Sequence, residues 1–435
     1  MSIAKALTHI QFEGFCPFDF SRGFRIISEN DEIGISRQKW HKRYINLTHH
    51  LLVIIRTIWF VSLKPFFQKS ELGEIVFVLA PPGVQHRRKD IAQMYDKVRE
   101  LTNGCDGVLL EQYIGHEFRW DRTKKLLHYT LSWWQNLHAT HLSVREKLRI
   151  VRELITLHDF SCIMETLPDY KLALVFYDAN LYNNYFVCYA KQKGCKTATL
   201  QHGVMVAARP EVHDNIDFKG IEFDCFVSDY FLAWNNFTYR EAVRSGMEDR
   251  RIRVLGIAKC IGKTRKVTAK GEIKRLGVLL DGKFSDVNNG RLVRIVDEYC
   301  QRNNKHYILK YHPAYKGNEF ENLLSSCGKQ MPITATLDEL IAQTDGIVVS
   351  NSTALFELAY LGVPFFRFKS DPLIDKFRDL HIPMFSGSLE LSLLVLSYEA
   401  GNYLIDTKEL CGTSGSVGNI YRKFLEEFFY EKYAH

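Results

Sequence analysis

Short uninterrupted apolar runs recur along the chain, each closed by glycine, proline or small polar residues. "EIVFVLA" (74–80) stops at Pro81-Pro82-Gly83, and "LALVF" (172–176), "CKTATL" (195–200) and "RIRVLGIAK" (251–259) follow it. "LGVLLDG" (276–282), "HYILKYHP" (306–313), "GIVVSNS" (346–352) and "PFFRF" (364–368) continue the pattern. Runs without polar alternation suit strands buried on both faces of a parallel sheet. Between them 90–102, 118–157, 181–194, 290–304, 337–344 and 353–362 read as helices. Strands alternating with helices through both halves predict an α/β protein of two doubly wound parallel-sheet domains. The expected division is an N-terminal extension over 1–70, a first domain over 71–258, a second over 259–410 and an amphipathic C-terminal helix over 411–435.

Composition changes this picture little. A chain of 435 residues is too long for one ordinary core, in keeping with two domains. The net charge of +7 suits a phosphate-bearing ligand or an anionic membrane surface. No basic stripe interleaved with aromatics appears, so nucleic acid is not an expected partner. Ten cysteines without CxxC spacing argue against structural zinc and a disulfide framework, and point to a reducing, cytoplasmic compartment. "MSIAKALTHIQFEGF" shows no secretion signal. One segment qualifies this: "RQKWHKRYINLTHHLLVIIRTIWFVSLKPFF" (37–67) joins a basic, aromatic cluster to an apolar run that His49, His50 and Arg56 break. It falls short of the roughly 20 clean residues of a spanning helix. It reads either as a helix packed on the first domain or as an interfacial helix lying on an anionic leaflet.

The candidate chemistry falls at strand ends, where ligands gather in open α/β sheets. Gln201-His202-Gly203 closes "CKTATL"; its imidazole either takes a proton from an attacking hydroxyl or merely bonds the turn. Asp178, in the "YDAN" turn one strand earlier, reads as a helix cap at the same edge. In "KYHP" (310–313), Lys310 and His312 alternate along a strand and so share one face. Such a pair suits a leaving phosphate, although it is equally at home in water. "SNSTALFELAYLGVP" (350–364) ends a strand in Ser350, Asn351, Ser352 and Thr353, and a helix starts at once. Hydroxyls and unpaired N–H groups there make an anion site as well as a cap. Glu357, one turn on, faces the same way and could accept a ribose hydroxyl.

Taken in order, strand-Gln-His-Gly, Lys-x-His-Pro and Ser-x-Ser-Thr…Glu…Gly-x-Pro resemble the GT-B glycosyltransferases of bacterial surface polysaccharides. They are similar in particular to the capsule and teichoic-acid enzymes, among them CDP-glycerol glycerophosphotransferases and bacterial sialyl- and Kdo-transferases. The likeness spans roughly residues 170–370. It implies two Rossmann-like domains facing a central cleft, with Gln201, His202, Gly203 and Asp178 on the acceptor side and His202 as general base. Lys310, His312, Ser350, Asn351, Ser352 and Thr353 would hold the donor phosphates, and Glu357 the ribose. The chain departs from the pattern in "VMV" after Gly203 and in "LDG" (280–282), where a carboxylate pair is reduced to Asp281, a second base candidate. No Asp-x-Asp occurs, so neither a metal nor a cofactor is expected beyond the nucleotide-sugar donor itself. The acceptor implied is a polysaccharide or a lipid-linked precursor, and the linker near 256–262 is the expected hinge of cleft closure. A UDP-sugar 2-epimerase of the same architecture and a non-catalytic, nucleotide-sensing member of a membrane assembly are the alternatives; the 81–90 loop lacks a carboxylate before Asp90, which disfavours the epimerase.

Overall fold

A computed structural model describes residues 47–59, 61–68, 73–79, 89–102, 106–114, 120–138, 142–176, 178, 181–207, 223, 226–264, 271–282, 285–370, 375–405, 407–412 and 415–428. The basic cluster at 37–46, the Pro81-Pro82-Gly83 stop with most of its loop, and residues 429–435 of the C-terminal helix expected over 411–435 lie outside them.

Two sheets carry the molecule. The first has the order β1(Val61–Gln68)-β3(Asp106–Ile114)-β2(Ile75–Leu79)-β4(Leu172–Phe176)-β5(Lys196–Leu200)-β6(Tyr230–Ala233)-β7(Ile252–Val254). All neighbours are parallel except β1, which runs antiparallel to β3 along the edge. The second is wholly parallel, in the order β10(Gly328–Gln330)-β9(His306–Lys310)-β8(Arg275–Leu279)-β11(Gly346–Val349)-β12(Phe365–Phe368)-β13(Met384–Phe385). The apolar runs become central strands: β4 and β11 are buried at every position. Each sheet reverses its strand order once, between β2 and β4 in the first and between β8 and β11 in the second. Such switch points open the crevices in which α/β proteins bind ligands.

Residues 47–68 differ from the expected extension. Helix α1 (Leu47–Trp59) buries Ile54 and Ile58 in the first core, and β1 completes the first sheet. Pro65 is tolerated there because β1 is an edge strand. The other helices of the first half are α2 (Lys89–Arg99), α3 (Trp120–His138), α4 (Val144–Met164), α5 (Leu181–Gln192) and α6 (Asn236–Arg244). The second half adds α7 (Asp286–Asn303), α8 (Leu337–Gln343), α9 (Ala354–Leu361) and α10 (Ser388–Glu399). At Gly277 in β8 a Cβ would sit 2.5 Å from Ile347 Cδ1 and 3.0 Å from Leu340 Cγ, so only glycine lets α8 lie this close to the sheet.

The chain then returns to the first half through α11 (Lys408–Cys411) and α12 (Val417–Glu426). Asn235 Nδ2 donates to Leu410 O, Tyr421 Oη to Gly256 O, and Phe424 packs edge-on against Tyr230. Between the halves Phe237, Phe356 and Phe377 meet ring to ring at 5.4–6.0 Å, with Trp234 6.4 Å from Phe356. One apolar cluster runs through this seam from Phe77 and Leu174 to Ile347 and Phe365.

Candidate active site

The switch point of the second sheet opens into a cavity of about 600 Å³. Its floor is the ends of β8 and β9, contributing Leu279, Leu280, Lys310 and His312, together with Ser352, Thr353, Ala354 and Glu357 at the start of α9. The 333–336 loop and the start of α8 close one side, and Gln93, Met94 and Lys97 of α2 reach in from the first half. The linker adds Lys259 and Lys263. Among the described lining residues four lysines thus face two carboxylates, Asp338 and Glu357, an excess of two positive charges before His312 is counted. A crevice with that balance suits a dianionic diphosphate.

Each cation is held differently. Lys97 Nζ donates to Lys259 O at 2.9 Å and Ile261 O at 3.2 Å, tying the linker to α2. Burial, helped by the neighbouring Lys263 ammonium, holds Lys97 below the usual lysine range. Lys259 lies 3.3 Å from Glu357, and Lys263 grips Asp338 through both carboxylate oxygens at 2.6 and 2.8 Å. Lys310 is the last residue of β9, and burial lowers its pKa as well. Ala314 N donates to His312 Nδ1 at 3.1 Å. That nitrogen is therefore an acceptor, and in the neutral ring the proton sits on Nε2. β9 ends at Lys310, so His312 reaches the cavity from the following turn rather than from the strand face expected.

Ser352 and Thr353 line the cavity, whereas Ser350 and Asn351 are buried. Asn351 N donates to Asp281 Oδ2 at 3.1 Å, and its Nδ2 to Ser370 Oγ at 2.9 Å. Asp281 is nearly sealed, and burial raises its pKa. Expected to act as a base and as phosphate contacts, these residues are instead buried: Asp281 and Asn351 fasten the end of β8 to the end of β11, and Ser350 is sealed next to Asn351. Arg367, wholly buried and paired with Asp375, supports the same corner.

On the first sheet, His202 follows β5 at the carboxyl edge, half-buried with its ring 5.4 Å from Phe176 at the end of β4. It is not among the described residues of the cavity wall. Gln201 is sealed beneath it: Nε2 donates to Gly203 O and Thr238 Oγ1, and Oε1 accepts from Trp234 N. Asp178 is wholly buried, and its Oδ2 accepts from Val227 N, Ser228 N and Ser228 Oγ. Neither side chain is open to an acceptor: Gln201 braces the turn at His202, whereas Asp178 ties the end of β4 to the segment entering β6, in place of the helix cap expected. The carboxyl of Asp178 is pushed up to about 6, first by burial, against the pull of those donors.

Sequence reasoning missed Lys97, Lys259 and Lys263. On an amphipathic helix a lysine looks like solvated surface, but the pair Lys259 and Lys263 flanking a glycine just after the last strand of the first half was a readable sign. Among the described residues no cluster of His, Cys, Asp and Glu could hold a metal ion.

No family model and no curated protein matches the chain. Solved structures do. A Listeria monocytogenes protein described provisionally as a UDP-N-acetylglucosamine 2-epimerase is similar at TM-score 0.50 and 10% identity, over 82% of this chain and 97% of that one. The UDP-GlcNAc 2-epimerase of Neisseria meningitidis bound to UDP-GlcNAc aligns at TM-score 0.48 and 13% identity, over 82% and 98%. The wall teichoic acid polymerase TagF aligns at 0.37 and 12%, over 63% and 85%. Identities this low speak to architecture alone: the two facing Rossmann-like sheets of this chain are the GT-B fold.

Proposed function

We propose that the chain is a GT-B transferase that moves a sugar or an alditol phosphate from a nucleotide-activated donor onto a bacterial surface polysaccharide or its lipid-linked precursor. The observation that carries this reading is the lysine-rich cavity at the second sheet's switch point, walled by both halves of the chain. The donor diphosphate lies against Lys310, His312 Nε2–H and the backbone N–H groups opening α9. The ribose turns toward Glu357, whose carboxylate Lys259 orients, and the base rests on the 333–336 loop.

In sugar transfer, His202 takes the proton of the acceptor hydroxyl as its oxygen attacks the anomeric carbon. The bond from that carbon to the diphosphate oxygen breaks with inversion, and the electron pair leaves with the nucleoside diphosphate. The cations stabilise the charge that develops there, the effect that commonly dominates such reactions. With an alditol phosphate, the same parts serve attack at phosphorus.

Positioned general-base catalysis contributes about 100- to 10,000-fold. His202→Ala is therefore expected to lose turnover on that scale while binding nucleotide normally, as read by product formation and calorimetry. Near-normal turnover would remove His202 from the chemistry. Incubation with UDP-GlcNAc alone separates an epimerase, which needs no acceptor: appearance of the 2-epimer without acceptor would overturn the transferase reading.

A further inference from the structure

Away from the cavity, the first half exposes an apolar face that no described element covers. α4 is buried on nearly every side, with Leu148, Ile150, Val151, Leu154, Leu157 and Phe160 all inside. Helices α1 and α3 form the layer outside it, and Arg122 Nη1 of α3 donates to Ile58 O of α1 at 2.8 Å. Their outward sides carry Leu51, Leu52, Ile55, Trp120, Leu127 and Leu131, with Leu52 59% and Leu131 64% exposed. In α3 the positions 120, 124, 127 and 131 recur every three or four residues, so Trp120, Lys124, Leu127 and Leu131 make one stripe.

Charge decides what fits this face. α1 contains no acidic residue and α3 only Asp121, while Arg56, Lys124 and Lys125 are exposed along the same helices. Lys124 Nζ lies 5.3 Å from the Trp120 ring centroid. Leucines, an edge tryptophan and a basic rim together match the headgroup boundary of an anionic bilayer. No described helix is long and apolar enough to cross a membrane.

Topology aims the face. Val61 at the start of β1 pairs with Ile114 at the end of β3. The end of α1 and the start of α3 therefore meet at the carboxyl edge of the first sheet, the edge that carries His202. We infer that α1 and α3 dock the protein on an anionic phospholipid surface and bring the acceptor side of the cleft to the bilayer. The substrate this implies, resting on the transferase reading, is an acceptor anchored in lipid.

Flotation of the full chain with phosphatidylcholine vesicles, with and without about one third phosphatidylglycerol, tests this. Wild type is expected to float only with the anionic vesicles and to be released by high salt. Lys124→Glu with Lys125→Glu, and separately Leu127→Gln with Leu131→Gln, are each expected to weaken partition at least about tenfold. All four sites are exposed, so thermal unfolding should hold. Leu389→Gln with Leu393→Gln on the acid-flanked α10 should leave partition unchanged. Absence of wild type from anionic vesicles, or equal partition of the α3 variants, overturns the inference. So does a dimer in sedimentation that Leu127→Gln with Leu131→Gln abolishes, for the face would then join two copies of the chain. Nucleotide binding measured on the same preparations reports separately on the transferase reading.

Discussion

Lys310 has the most readable titration in the cavity. Burial lowers its pKa, so its charge is lost as pH rises through a value below the usual lysine range. Affinity for a nucleoside diphosphate is expected to fall across that alkaline window, and Lys310→Met should remove that component of the pH dependence; calorimetry at several pH values reads both. His312→Ala deletes the Nε2 donor to a charged group, a contact of about 1.5–3 kcal/mol, and should weaken nucleotide binding by roughly 10- to 150-fold. Asp178 gives a signal in stability. Its folded pKa of about 6 lies above the ordinary carboxylate value, so the native state holds the proton more tightly and stability declines as pH rises from about 4 to about 6. Asp178→Asn should flatten that part of the denaturation profile. At this scale the sequence was half legible. Lys310, Ser352, Thr353 and Glu357 line the cavity, and His312 joins them from the turn after β9 rather than from the strand. Asp178, Gln201, Asp281, Ser350 and Asn351 share the same edges but are buried, because a sharp turn at a buried strand end needs polar side chains to satisfy its own backbone.

At the scale of elements, buried parallel strands announced themselves because both faces are apolar. β3 did not. Its second half, Leu110–Ile114, pairs with β1 beyond the reach of β2 and carries Glu111 and Gln112, which break the apolar run. β6, Tyr230–Ala233, went unread as well. α1 and β1 merged in one apolar stretch that read as a single helical segment. Close approach was equally hidden: nothing local marks Gly277 as the point where α8 touches the sheet. Gly277→Ala forces its new methyl against Ile347 and Leu340 and should cost about 1–3 kcal/mol by denaturant titration.

For the whole molecule, the alternation of strands and helices carried the GT-B architecture, while the way its halves meet was not legible, since aromatic residues far apart in sequence form the seam. Phe356 is wholly buried between Trp234, Phe237 and Phe377. Phe356→Ala should cost about 3–5 kcal/mol and split one calorimetric unfolding transition into two as the halves uncouple. The expected hinge is also restrained: Lys97 holds the linker carbonyls and Tyr421 bonds Gly256 O. Motion of the 256–263 segment must break those bonds, so Lys97→Met is expected to loosen it, seen as faster amide exchange there.

The most direct test of the account is calorimetric titration of CDP, UDP, GDP and CMP into the wild-type chain and into a Lys310→Met, His312→Ala double variant. At least one nucleoside diphosphate is expected to bind wild type, and the double variant to lose at least about 100-fold in affinity with its fold intact. Failure of every nucleotide to bind, or equal affinity in the two proteins, would contradict a diphosphate site in the cavity between the halves.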